Sequence, residues 1–226
     1  MHRPRIVVLI SGSGSNLQAL IDASQNLSNS KPELQADIVA VISNRPAVKG
    51  LQRAENAGIE AVTLDHKTFI NREAFDSELL KLVRSYSADL VILAGFMRIL
   101  TPVFLTEFHG KLLNIHPSLL PKFAGLNTHQ RAIDAGEDEH GVTVHFVTEE
   151  LDGGPPIIQA VVPIEEGDTA DQLAQRVLSQ EHLIYPIAAQ WFVTGRLSLV
   201  KGRALLDGLP LGPQGIRFSE HSNHCA

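Results

Sequence analysis

The sequence has a single cysteine, Cys225, so no disulfide can form within the chain and a reducing compartment is the expected home. It has no excess of positive charge. Its 19 Lys and Arg stand against 25 Asp and Glu, a formal charge of −6, whereas nucleic-acid and membrane-surface proteins need a basic face. It has no long apolar run. The segment Ile6 to Ile10 is too short for a signal-peptide core, and no other stretch approaches the ~20 residues of a membrane span. Internal repeats, low-complexity blocks and Gly/Ser linkers are missing as well. These absences leave a cytoplasmic, globular domain working on small molecules, with neither nucleic acid nor membrane as partner. The domain is expected over residues 1–200. An extension over 201–226 should follow, and its polar end "SEHSNHCA", with His221 and His224, is expected to be disordered.

Some catalytic patterns are also missing. There is no G-x-S-x-G nucleophile elbow, and Ser118 follows a proline instead. The ten histidines make no H-E-x-x-H spacing, so no metal is expected. What is present is alternation. "RIVVLI", "ADIVAVIS", "IEAVTL", "ADLVILAG", "KLLNIH", "HGVTVHFVT" and "PPIIQAVVPI" read as strands, several of them continuously apolar, as in strands covered on both faces. Helical spacing fills the gaps: "NLQALIDAS", "VKGLQRAENAG" with Gly58 as its C-cap, "NREAFDSELLKLVRSY", "TPVFLTEFHG" and "NTHQRAIDAG". A long stretch from "DTADQ" to "FVTG" must bend near Pro186. "RLSLVKGRALLDG" reads as an outer hairpin. The pattern predicts an α/β fold: an open, mostly parallel sheet of about seven strands with helices on both faces. Ligands in such folds collect beyond the carboxyl ends of the strands.

Three of those ends carry usable chemistry. "SGSGSN" places Gly12 and Gly14 between a strand and a helix start, where bare amides and the helix dipole bind a phosphate. Ser11, Ser13, Ser15 and Asn16 add donors. The third glycine of the dinucleotide fingerprint is absent, and the second strand ends on Ser43 and Asn44 rather than on an acid. A monophosphate therefore fits better than NAD, and a tight turn capped by serines is the plain alternative. In "NIHP", Asn114 and His116 lie two apart on a strand and project together where Pro117 ends the ladder. They could hold an oxygen that becomes negative in a transition state. Taken alone, the spacing fits a satisfied polar pair capping a strand better than a site. In "TEELDGGP", Asp152 precedes two glycines. A carboxylate beside His116 would raise the histidine's pKa and keep it protonated, although Asp-Gly-Gly is also an ordinary turn former.

In this order the motifs "VVLISGSGSNLQALID", "VISNRP", "LAGFMRIL", "LLNIHPSLLPKFAGLNTH", "HGVTVHFVTEELDGGPPIIQ" and "QEHLIYP" resemble the folate-dependent formyltransferases, over about residues 5 to 200. The glycine turn resembles those that act on glycinamide ribonucleotide. The resemblance implies a Rossmann-like formyltransferase fold and 10-formyltetrahydrofolate as co-substrate. It also implies transfer of the formyl group to 5-phosphoribosylglycinamide in purine synthesis, by a monomer or a homodimer. Carried over by motif, it implies that Asn114, His116 and Asp152 are the catalytic trio. Ser11 to Asn16 and Glu181 would hold the phosphate and ribose. Arg72, Met97, Arg98, Ile99, Leu100, Thr148, Glu149, Glu150, Leu151, Asn114 and Asp152 would form the folate side. It implies a cis peptide at Leu120–Pro121 too. Two positions depart from the family pattern: Asn127 stands where a histidine is common, and Ala124 where a proline is usual. A formyl-folate hydrolase, or a formyltransferase for another amine, is the alternative within the class. An NAD-dependent oxidoreductase or a nucleotide-binding regulatory protein is the alternative outside it.

Overall fold

The computed structural model describes residues 3–26 and 32–219. The expected alternation is realised. The first strand, β1 (Arg5–Ile10), leads into α1 (Ser15–Ser24), and β2 (Asp37–Ser43) into α2 (Lys49–Asn56) and β3 (Glu60–Thr63). After α3 (Arg72–Ser85) come β4 (Leu90–Leu93), the short α4 (Pro102–Leu105) and β5 (Leu112–His116). Then follow α5 (Thr128–Asp134), β6 (Glu139–Phe146), β7 (Pro156–Pro163) and α6 (Ala170–Val193). Four short strands close the described chain: β8 (Leu197–Val200), β9 (Arg203–Leu206), β10 (Leu209–Pro210) and β11 (Ile216–Phe218).

The continuous apolar runs have the cause their pattern predicts. On β1, Ile6, Val8 and Ile10 pack into one core with α1 and α6, while Val7 and Leu9 pack into a second core with α3 and α4. Both faces of the sheet are thus covered, and each such fully buried aliphatic side chain contributes about 1.5–3 kcal/mol. A capping box at Thr169 and Gln172 starts α6. That helix continues through Pro186, where the sequence predicts a bend. Its buried neighbours Tyr185, Ala188 and Ala189 hold it on the sheet.

The main sheet has eight strands in the order β11-β7-β6-β5-β4-β1-β2-β3, and β8, β9 and β10 form a separate antiparallel sheet, the expected outer hairpin with one strand more. The count of about seven is one short because β11, inside the extension, pairs in parallel with β7 through Ile216↔Ile158. The polar end from residue 220, with His221, His224 and Cys225, lies outside the described residues. One strand runs against the rest: β6 is antiparallel to both β5 and β7. Its carboxyl end therefore lies beside the start of β5, not beside its finish. The "TEELDGGP" loop does not share the edge where the parallel strands end, as their alternation suggested, and Asp152 must fold back to reach His116.

Candidate active site

Asn114 and His116 project from one face of β5. The antiparallel register sets His145 of β6 opposite Asn114, and Thr143 opposite His116. Residues directly opposite in such a pair share a face, so four polar side chains gather in one patch. Thr143 and Gln159 of β7 act as a rack for the turn that follows β5. Thr143 Oγ1 donates to the Ser118 carbonyl at 2.6 Å and accepts the Leu120 N–H at 3.0 Å. Gln159 Nε2 donates to the Leu120 carbonyl at 2.8 Å. This rack fixes the turn whose Leu120–Pro121 bond is cis, as the resemblance implies.

Asp152 reaches the patch from the loop after β6. Its Oδ2 lies 3.4 Å from His116 Nδ1 and accepts the Gly125 N–H at 2.9 Å. Its backbone is left-handed, with φ 52°. Gly154 lets the loop close this tightly, since a Cβ there would stand 1.8 Å from the Phe146 carbonyl oxygen. On its other side, His116 Nε2 lies 3.0 Å from the Phe123 carbonyl. Both ring nitrogens thus face oxygen acceptors, an arrangement that an imidazolium satisfies at both ends. The side chains of His116 and Asp152 are 8% and 9% exposed, so the pair works in a largely water-free setting.

His145 belongs to the site, and the strand reading passed over it. Asn114 Nδ2 donates to its Nε2 at 3.1 Å, while its Nδ1 donates to the Phe146 carbonyl at 2.9 Å. Burial pushes the His145 ring down to about 4, so near neutral pH it is uncharged and its Nε2 is free to accept. That fixes which way the Asn114 amide points, and it leaves the second N–H and the carbonyl oxygen of Asn114 for a substrate. The alternation of Thr143 and His145 on β6 was a visible signal, but only the antiparallel pairing shows that it faces Asn114.

The glycine turn sits across the sheet. Gly14 has φ 71° and caps α1 with no side-chain bond, so side chains leave the first-turn amides of the helix unclaimed. A Cβ on Gly14 would stand 2.8 Å from Cα of Gly50 in α2. The turn leans on that helix: Gly50 N–H donates to the Gly12 carbonyl at 3.1 Å, and Arg53 Nε to the Ser13 carbonyl at 2.9 Å. Neither Gly50 nor Arg53 was foreseen. Asn16 Nδ2 donates to Glu181 Oε2 at 2.6 Å, and its Oδ1 is buried with no partner. Burial raises the Glu181 carboxyl, and the Asn16 bond opposes that. Ser13 is exposed in the turn, Gly12 and Ser15 are half-buried, and Ser11 is buried.

Between the Asn114 patch and α4 lies an open cleft, lined by apolar and polar side chains together, as small-molecule sites are. One wall is Phe96, Arg98, Ile99 and Leu100; the other is the loop from Val147 to Asp152, with Asn114 and His145 at the base. Thr148, Glu149, Glu150 and Leu151 therefore line the same cleft as Asn114. Arg98 lies over the Phe75 ring at 4.7 Å. Two expected residues do not line the cleft: Met97 is 65% exposed, and Arg72 is exposed in the first turn of α3. Among the described residues, no group of three or more His, Cys, Asp or Glu could hold a metal ion, and no helix is long and apolar enough to cross a membrane.

Known proteins share this fold and much of this sequence. The profile of the formyl transferase family matches residues 4–189. The chain is 52% identical over 215 residues to phosphoribosylglycinamide formyltransferase of Escherichia coli, covering 95% of this chain and 99% of that protein. It is 48% identical over 197 residues to the human trifunctional purine biosynthetic protein adenosine-3, covering 87% of this chain but 19% of that longer protein. Among solved structures, phosphoribosylglycinamide formyltransferase of Coxiella burnetii superposes with a TM-score of 0.90 at 48% identity, covering 96% of this chain and all of that one. With the family profile spanning both the glycine turn and the Asn114 patch, the chain belongs to the formyltransferase family.

Proposed function

We propose that the chain transfers the formyl group of 10-formyltetrahydrofolate to the primary amine of 5-phosphoribosylglycinamide, a step of purine synthesis. One observation carries this reading. An anion-ready glycine turn and a half-apolar cleft flank one buried Asn–His–Asp cluster, as a reaction between a phosphorylated amine and a flat heterocyclic donor requires. Relatives with that printed activity support it over most of their length.

The chemistry follows from the groups present. The amine nitrogen attacks the formyl carbon, a C–N bond forms, and the carbonyl oxygen becomes negative. The free N–H of Asn114 and the imidazolium of His116 stabilise that oxygen. The C–N10 bond to the folate then breaks. A proton leaves the former amine and a proton reaches N10, with His116 as the carrier and Asp152 holding the ring's orientation and charge. Delivering the Nε2 proton costs His116 its bond to the Phe123 carbonyl. The amides at Gly14, Ser15 and Asn16 take the phosphate, and Glu181, fixed by Asn16, takes a ribose hydroxyl. The cleft walls, Phe96 with Arg98 to Leu100 and the loop from Val147 to Asp152, take the folate.

The test is spectrophotometric. The protein is mixed with 10-formyltetrahydrofolate, with and without glycinamide ribonucleotide, and loss of the formyl-folate is followed. Loss only with the ribonucleotide is expected. Loss without it would mean a hydrolase, and no loss in either mixture would mean a binding protein.

A further inference from the structure

Ser11 opens the glycine turn, and the turn pattern assigns it to the phosphate. Its hydrogen bonds say otherwise. The residue is 4% exposed, its Oγ donates to Oδ1 of Asn44, and the same oxygen accepts the main-chain N–H of Met97 at 2.8 Å. A hydroxyl has one proton, and this one is committed to Asn44, so none remains for a phosphate oxygen. Asn44 is fixed in turn. It is 1% exposed, its N–H donates to the Ile10 carbonyl, and its own carbonyl lies 2.7 Å from His66 Nδ1. The result is a buried polar strut joining the ends of β1 and β2, the turn after β3, and the segment after β4.

That last segment carries the cleft wall. Phe96, Arg98, Ile99 and Leu100 flank or follow the Met97 amide that Ser11 holds. The far end of the segment is pinned separately, by Asp76 accepting the Thr101 N–H. Between Ala94, bonded to the Leu9 carbonyl, and Thr101, the Ser11 hydroxyl is the side-chain anchor the wall has on the glycine-turn side.

We infer that Ser11 is a positioning residue that ties the cleft wall to the phosphate turn, rather than a phosphate ligand, so that its loss loosens both substrate subsites at once. The identity of the two ligands rests on the function proposed above; the strut itself does not.

The experiment compares wild type, Ser11→Ala, Ser11→Thr and Ser13→Ala. Each is titrated with glycinamide ribonucleotide and, separately, with 5,8-dideazafolate, which carries no formyl group. Amide hydrogen exchange at Met97 is measured in the ligand-free proteins. Ser11→Ala should weaken both ligands by about 5- to 30-fold, the factor for a lost buried hydrogen bond. Ser13→Ala removes an exposed hydroxyl beside a site made of backbone amides, so it should weaken the ribonucleotide only slightly and leave the dideazafolate alone, and Ser11→Thr, which keeps the hydroxyl, should restore most of the loss. The Met97 amide should exchange at least ~10-fold faster in Ser11→Ala. Loss of ribonucleotide binding alone, or an unchanged Met97 amide in Ser11→Ala, would overturn the inference. If wild type binds neither ligand, the function proposed above fails, and the Met97 exchange still decides the strut.

Discussion

The two halves of the main sheet would hold their proposed ligands by different means. In the parallel half, β1 to β4, the site is backbone. Gly14 is pressed against Gly50, first-turn amides stand unclaimed, and side chains such as Ser11 and Arg53 brace the turn. Across β5, β6 and β7 the site is side chains. One antiparallel strand sets Thr143 and His145 opposite His116 and Asn114, and a left-handed Asp152 is folded back onto them. A backbone site tolerates side-chain change but not added volume. A side-chain site tolerates little change of chemistry, because each group there orients another.

The sharpest break of this contrast is chemical. Asn114→Ala should lower turnover by about 10²–10³-fold, the usual loss of one oxyanion donor, with the fold intact by circular dichroism. Asp152→Asn should fall in the same range, since it removes the charge facing His116 Nδ1. Turnover near normal in both variants would sink the side-chain site.

The second contrast is in pH. Burial pushes His145 and His140 each down to about 4; His140 also feels its neighbour His129, which burial lowers too, and a bond to the Pro117 carbonyl pulls the other way. Such a ring binds a proton in the unfolded chain below about 6.5 but not in the folded one until about 4. The unfolded state therefore binds more protons in that window, and stability present above pH 6.5 is lost as the pH falls toward 4. Each histidine can contribute up to about 3 kcal/mol to that loss. Glu181 and Asp76, whose carboxyls burial raises, act in the opposite direction and offset part of it. Urea unfolding at pH 7.5, 5.5 and 4 checks the slope. His140→Gln, on the antiparallel strand, should flatten it.

Smaller still is the effect of volume at the glycine turn. Gly14→Ala puts a side chain at φ 71° and a Cβ 2.8 Å from the Gly50 backbone. The left-handed strain alone costs about 1–2 kcal/mol. The KM for the ribonucleotide should rise more than turnover falls, and Tm should drop. An equal loss in turnover would mean that the turn takes part in the chemistry.

Legibility in the sequence follows the same divide. In the parallel half the apolar runs and the glycines name their own structure, because a strand buried on both faces and an unclaimed helix start are local patterns. The Asn114 patch was half legible. Asn114 and His116 share a face by strand period alone, whereas His145, Thr143 and Gln159 join them through pairing between distant strands. Local periodicity carries no sign for strand direction, so β6 read like any other strand and the side on which its loop emerges was missed. The strand β11, inside the extension, was not read as a strand, since three residues are too few for a period to show. Ser11 was legible as part of a turn but not as a strut, because its partners Asn44 and Met97 lie 33 and 86 residues away.

The least disruptive change tests how far the side-chain half extends. Phe123, Gly125 and Asn127 all have positive φ, so the segment after the rack turns sharply, and its Gly125 amide is a partner of Asp152. Asn127, where the family often has histidine, caps α5 at φ 56° with no side-chain bond, so its role is conformational. Among non-glycine residues asparagine adopts this backbone most readily. Asn127→Gly should therefore be neutral or slightly stabilising, and Asn127→Val should cost about 1–2 kcal/mol. Asn127→His should fall between them, with turnover within about threefold of wild type, since a rim residue that orients no reacting group leaves the barrier nearly unchanged. A larger gain or loss of turnover in Asn127→His, at unchanged stability, would move the boundary of the side-chain site out to this loop. The Gly125 bond to Asp152 would then be the route by which the loop reaches His116.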